Sequence, residues 1–260
     1  MKARLHLLTI WLTALLGLTA AICLPAADVA PAFDAANKLY EQGRFMEAAN
    51  AYEPMLSGSS TSPTILFNLG NALFKSGQIG RAIATYREVE RLMPRDPDVR
   101  ANLQFARNQV QGPTLRASWL ERWLGAFSLN EWTLLAAGAF WTICVLMTAG
   151  QWQPQWQRRL RVYAAAAGGA AVVLFACLSL TLQQQSRETA IVITSEVVVR
   201  AGPFQESQSA FTVHDGAEFR ILDGKDEWLQ VSDGAHRSGW LKREQVAVWP
   251  ANRSGPSMGH

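Results

Sequence analysis

Two long apolar runs divide the chain. Leu129–Ala149 and Val162–Leu182 carry no charge apart from Glu131 at the edge of the first. Each is about 20 residues long, enough at ~1.5 Å per residue to cross a hydrocarbon layer of ~30 Å as a helix. The chain between them is short and basic (Arg158, Arg159, Arg161). The pattern predicts a membrane hairpin with spans at 128–149 and 161–183 and a cytoplasmic loop at 150–160. From Thr189 the pattern changes to short runs rich in branched residues. Strands are expected at Ala190–Thr194, Val197–Arg200, Ala217–Leu222, Glu227–Ser232, Ser238–Lys242 and Gln245–Trp249, with turns at Asp223-Gly224 and Asp233-Gly234. Short strands over 188–250 suit a small all-β barrel.

Upstream of the spans the chain matches itself at an offset of 34 residues. Ala36 aligns with Gly70, Leu39 with Leu73, Gly43 with Gly77, Phe45 with Ile79, Ala48 with Ala82 and Tyr52 with Tyr86. This is the pattern of tetratricopeptide (TPR) repeats, two helices per unit. Small residues at 36/70 and 48/82 let the paired helices approach, and Gly43 and Gly77 end the first helix of each unit in a left-handed conformation. Ser62-Pro63 and Asp96-Pro97 pair an N-cap residue with proline at the first helical position. Helices are expected at about 30–42, 45–57, 63–76, 79–92 and 97–111, the last capping an all-α solenoid over 28–112.

The first helices of the two units build a concave face. It should include Asn37, Tyr40, Glu41, Phe67, Asn71, Phe74 and Lys75. Asn37 and Asn71 are equivalent, and their amides offer donors and acceptors to a bound backbone. Asn37, Tyr40, Asn71, Phe74 and Lys75 are not demanded by the packing pattern, so a protein-binding groove is expected. A groove filled by another segment of this chain is the alternative. The lysines of a carboxylate clamp are not matched, since Phe33 stands where the first would be.

Leu115, Trp119, Leu120, Trp123, Leu124 and Phe127 recur at helical spacing. They predict an amphipathic juxtamembrane helix over 113–127, lying on the leaflet or else packed on the solenoid. Ser128 and Glu131 form an S-x-x-E capping box at the start of the first span. In the second span small residues recur four apart (Ala164/Gly168, Ala165/Gly169, Ala166/Ala170), a pattern for close packing against the first span or a partner's span.

The first 27 residues read as an export signal, with Lys2 and Arg4 before the apolar Leu5–Leu24 and cleavage near Ala27, or else as an uncleaved anchor. Export plus the arginine bias puts both soluble modules outside the cytoplasm, in the periplasm. Residues 251–260 read as a disordered tail. A net charge of +3 and the lack of basic stretches interleaved with aromatics argue against nucleic acid. Cys23, Cys144 and Cys177 all lie in apolar segments, so neither a disulfide framework nor a zinc site is expected. Neither span holds a buried charge to relay protons. His214 and Asp215 have no accompanying nucleophile and read as turn residues. No cofactor is expected, and catalysis finds no paired carboxylates, triad or phosphate loop.

The string Val197-Val-Val-Arg200-Ala-Gly202-Pro203, followed by Gly216, Trp228 and Gly239-Trp240, resembles a bacterial SH3-like domain. The order of parts resembles the BatE-type proteins of bacterial aerotolerance (Bat) operons: signal, two TPRs, a helix reading Asp98-Val-Arg-Ala-Asn102-Leu103-Gln-Phe-Ala106-Arg107, a membrane hairpin and an SH3-like domain. That resemblance implies a bacterial inner-membrane protein associated with von Willebrand A-type membrane proteins and, across the bilayer, a MoxR-type AAA+ ATPase. A non-enzymatic scaffold is the expected function. A peptidoglycan-binding envelope sensor or anchor acting through the barrel is the alternative.

Overall fold

The structure, a computed structural model, describes residues 29–56, 62–115, 117–152 and 154–250. The expected export signal and C-terminal tail lie outside these residues. Eight helices precede seven strands among them. The solenoid comprises α1 (Val29–Glu41), α2 (Phe45–Tyr52), α3 (Pro63–Lys75), α4 (Ile79–Leu92) and α5 (Pro97–Asn108). Gly43 and Gly77 take the left-handed conformation at the helix junctions, with φ of +77° and +84°. Ala36, Ala48 and Ala82 are wholly buried. A Cβ on Gly70 would sit 2.7 Å from the Tyr86 ring, so the close approach expected there is real. Asp96 caps α5 by accepting from the Asp98 and Val99 amides. Ser62 makes no such side-chain bond at the start of α3.

The juxtamembrane helix differs from expectation. Only Trp119–Leu124 is helical (α6), opened by a capping box between Ser118 and Glu121. Residues 111–115 instead run along the barrel, where the Pro113 carbonyl accepts from the Glu218 amide at 2.8 Å. That backbone pairing competes with helix, and it removes Leu115 from the apolar stripe.

Helices α7 (Leu129–Trp152) and α8 (Gln157–Gln185) form an antiparallel pair, each long and apolar enough to cross a membrane. The Ser128–Glu131 capping box forms at the head of α7. Trp132 donates to the Leu124 carbonyl at 3.0 Å, and Leu124, Trp132 and Cys177 make a small buried cluster. Cys177 and Cys144 are free thiols. Of the small-residue pairs in α8, only Ala164/Gly168 lies on the half-buried face. Ala165/Gly169 and Ala166/Ala170 are exposed, and Ala171 takes the close contact.

The barrel is one antiparallel sheet of β1 (Thr189–Val192), β2 (Glu196–Arg200), β3 (Ser209–His214), β4 (Glu218–Lys225), β5 (Trp228–Ser232), β6 (Ser238–Lys242) and β7 (Val246–Trp249). The strand order is β3-β2-β6-β5-β4-β1-β7. Both edge strands feed the same core, Val213 from β3 and Val246 from β7, so the sheet wraps on itself. β3 was not expected. Its Ser209–Thr212 segment is mostly exposed and shows no alternation. Asp223-Gly224 is not a turn. It lies inside β4 beside a register shift between Ile221 and Asp223, and the reversal comes at Asp226, whose φ is +53°. Asp233 does hold the next turn, accepting from the amides of Ala235 and Arg237.

Candidate functional site

The concave face is built by a hydrogen-bond unit that itself repeats. Tyr52 Oη donates to Asn37 Oδ1 at 2.5 Å, and Asn68 Nδ2 donates to the same oxygen at 3.2 Å. Thirty-four residues on, Tyr86 Oη donates to Asn71 Oδ1 at 2.7 Å and Asn102 Nδ2 at 2.9 Å. Each unit ties the second helix of one repeat to its own first helix and to the first helix of the next. The expectation that these asparagines are free of packing duty is therefore wrong. Their oxygens hold the stack, and burial pushes the Tyr86 hydroxyl pKa well above the ordinary tyrosine value. Their Nδ2 groups make no hydrogen bond to described residues, which leaves two outward amide donors.

The remaining expected residues divide by exposure. Glu41 and Lys75 are exposed. Tyr40 packs edge-on against Phe45 at 5.1 Å, and Phe67 lies 6.2 Å from Tyr86, so both are half-buried structural aromatics as well. Phe74 lies 5.4 Å from Phe105, which is 56% exposed. Phe105 was missed, although it sits 34 residues beyond Asn71 on the capping helix and the repeat offset points straight to it.

A second feature was invisible in the sequence: the barrel is docked on the solenoid. β1 is buried at all four positions. Ala190 and Val192 face the barrel core, while Ile191 belongs to the solenoid core, with Trp249 packed beside it. A strand buried on both faces loses its alternation. Gly216, with φ of +86°, meets Ile79, Ile83 and Val110 where a Cβ would be. Asp215 Oδ1 accepts from the Gly80 amide at 3.0 Å and so caps α4 from another module. Burial pushes the Asp215 pKa up against the opposing pull of the Gly80, Ile79 and Gly216 amides. His214 beside it lies 3.3 Å from the Ser195 carbonyl through Nδ1, a turn contact as expected.

Glu218 is the polar centre of the joint and is wholly buried. Arg107 donates to its Oε1 at 2.9 Å, and the Leu115 amide donates to Oε2 at 2.8 Å. Arg87 lies 3.7 Å from Oε1 and stacks over the Trp249 ring at 4.2 Å. Burial pulls the Arg87 pKa down, with Glu218 opposing. One carboxylate thus joins α4, α5 and the linker. Arg95 pairs with Glu131 at the head of α7 and stacks on Phe127, so the solenoid is also tied to the hairpin.

This is a helical-repeat module docked on a small barrel beside an apolar helix pair. Residues 39–104 match the Tetratricopeptide repeat family, and residues 194–248 match the Bacterial SH3 domain family. The chain thus carries a TPR region and a C-terminal bacterial SH3 domain. No curated protein matches it.

Proposed function

We propose that this chain is a non-enzymatic scaffold of the bacterial inner membrane, holding TPR and SH3-like modules in the periplasm as one docked unit for protein partners. The observation that carries the reading is the joint itself. Glu218, Asp215 and Ile191 fix two interaction modules against each other, and Arg95 ties them to the hairpin, which suits presentation of a composite surface. The hairpin's outer faces support insertion. Leu134 and Val172 are 72% and 71% exposed, and such apolar area is stable in lipid rather than in water. On the concave face, the spare amides of Asn37 and Asn71, with Glu41, Lys75 and Phe105, suit an extended peptide segment. The likeness in part order to BatE-type proteins points to von Willebrand A-type membrane proteins as partners in an aerotolerance or envelope-stress complex, with a MoxR-type ATPase reached indirectly.

The test is affinity purification in mild detergent with identification of the captured proteins. Glu41→Lys, Lys75→Glu and Phe105→Ala together change the groove without touching the Tyr–Asn–Asn units. Loss of an aromatic anchor should cost ~2 kcal/mol or more of affinity. Equal capture by wild type and variant would move recognition off this face.

Peptidoglycan binding by the barrel is the second reading. Phe204 is 55% exposed just beyond β2, and Trp240, paired with Arg200 across β2 and β6, is half-buried, giving aromatic surface on which a sugar ring can stack. Co-sedimentation with purified cell-wall sacculi, lost in Phe204→Ala, would support it.

A further inference from the structure

A cleft of about 1590 Å³ opens between the solenoid, the barrel and the ends of the apolar helices. Nine arginines line it against four carboxylates. Several are paired: Arg91 with Glu88, Arg95 with Glu131, Arg187 with Glu121, and Arg87 and Arg107 with Glu218. Glu88, Glu131 and Glu218 are not among the four lining carboxylates. Counting them as well, arginine still outnumbers carboxylate by two. Arg100, Arg122, Arg220 and Arg243 are exposed and make no ion pair with any described residue. They come from four different elements: α5, α6, β4 and the 3-10 turn before β7. The fold, not a local charge run, gathers them.

The cleft's position selects its occupant. Phe127 at the head of α7 and Thr181 and Gln184 at the tail of α8 form part of the wall, so the cleft lies where both helices leave their apolar stretch. Trp119 and Trp123 on adjacent α6 are 73% and 52% exposed, in the manner of aromatic side chains at a membrane boundary. Guanidinium forks match phosphate oxygens two at a time, and basic groups at a bilayer surface attract anionic headgroups. We infer that this cleft binds the headgroup phosphate of an anionic phospholipid from the leaflet on which the soluble modules sit. Lipid there would brace the docked unit upright on its hairpin. The inference rests on α7 and α8 being membrane spans, which topology reporters test separately.

The experiment uses the full chain in a neutral detergent, with short-chain phosphatidylglycerol, short-chain phosphatidylcholine and glycerol 3-phosphate as probes and native mass spectrometry as the readout. Phosphatidylglycerol should bind at least about tenfold more tightly than phosphatidylcholine, and less tightly as salt rises. Arg100→Gln, Arg220→Gln and Arg243→Gln together should weaken that binding more than about tenfold, with the helical signal unchanged. Lys38→Gln, exposed on α1 and outside the cleft, should leave lipid binding unchanged. If the triple variant does not fold, Arg220→Gln and Arg243→Gln singly should each weaken binding about threefold or more. Equal binding of the two lipids, or full binding by the arginine variants, overturns the inference. Glycerol 3-phosphate binding as tightly as phosphatidylglycerol would overturn it in favour of a free-phosphate site. Displacement of bound lipid by a polyglutamate peptide at lower concentration would assign the cleft to an acidic protein segment.

Discussion

At the scale of single residues, the joint between the modules depends on positions that look unimportant in either module alone. Gly80 is the second residue of α4, where alanine is ordinarily the better helix former. In this fold a Cβ there would lie 1.9 Å from the Val192 carbonyl oxygen. Gly80→Ala is therefore expected to lower the thermal midpoint of the full chain, although helix propensity alone predicts a rise, and a rise would place the barrel elsewhere. Glu218→Ala removes the carboxylate that accepts from Arg107 and faces Arg87 at 3.7 Å, and stranding these two largely covered cations should cost ~3 kcal/mol or more. Denaturant unfolding of the solenoid and barrel, followed separately, should show their coupling lost. Asp215 gives the joint a pH dependence. Its folded pKa is raised, so its stabilising contribution is complete below the ordinary carboxylate value and is lost as pH rises through the folded one. The difference in thermal midpoint between wild type and Asp215→Asn should favour wild type more at pH 4 than at pH 7, and a reversed trend would contradict the assigned burial.

At the scale of elements, the 34-residue offset was legible because TPR packing writes its small residues, glycines and tyrosines at fixed positions. The helices fall within a few residues of expectation, apart from α2, which tightens into a 3-10 turn over Glu53–Leu56. The same offset contained the Tyr–Asn–Asn units, since Asn68 and Asn102 are 34 apart, but polar residues in a repeat read as binding groups until their partners are known. Asn71→Ala should thus destabilise the solenoid by ~1 kcal/mol or more for the bonds it loses. An unchanged thermal midpoint in that variant would free the asparagine for binding alone. The elements that misled were those shaped by distant contacts. Residues 111–115 pair with Glu218 instead of turning helical, and β3 has too little buried face to alternate. The Ser118–Glu121 capping box was present in the sequence and marks the true start of α6.

At the scale of the molecule, the order of modules was readable and their docking was not. Glu218 lies 111 residues from Arg107, and nothing local in either segment marks them as partners. Docking carries a topological consequence. A barrel that caps α4 through Asp215 and shares Ile191 with the solenoid core must lie on the same side of any membrane as the solenoid. In the proposed topology one docked unit stands on one face of a membrane hairpin. Paired compartment reporters fused after Gln111, Gln155 and Pro250 test it most directly. The proposed topology predicts an exported signal at Gln111 and Pro250 and a cytoplasmic signal at Gln155. A cytoplasmic signal at Pro250 beside an exported one at Gln111 would separate the modules across the bilayer and contradict both the hairpin and the joint.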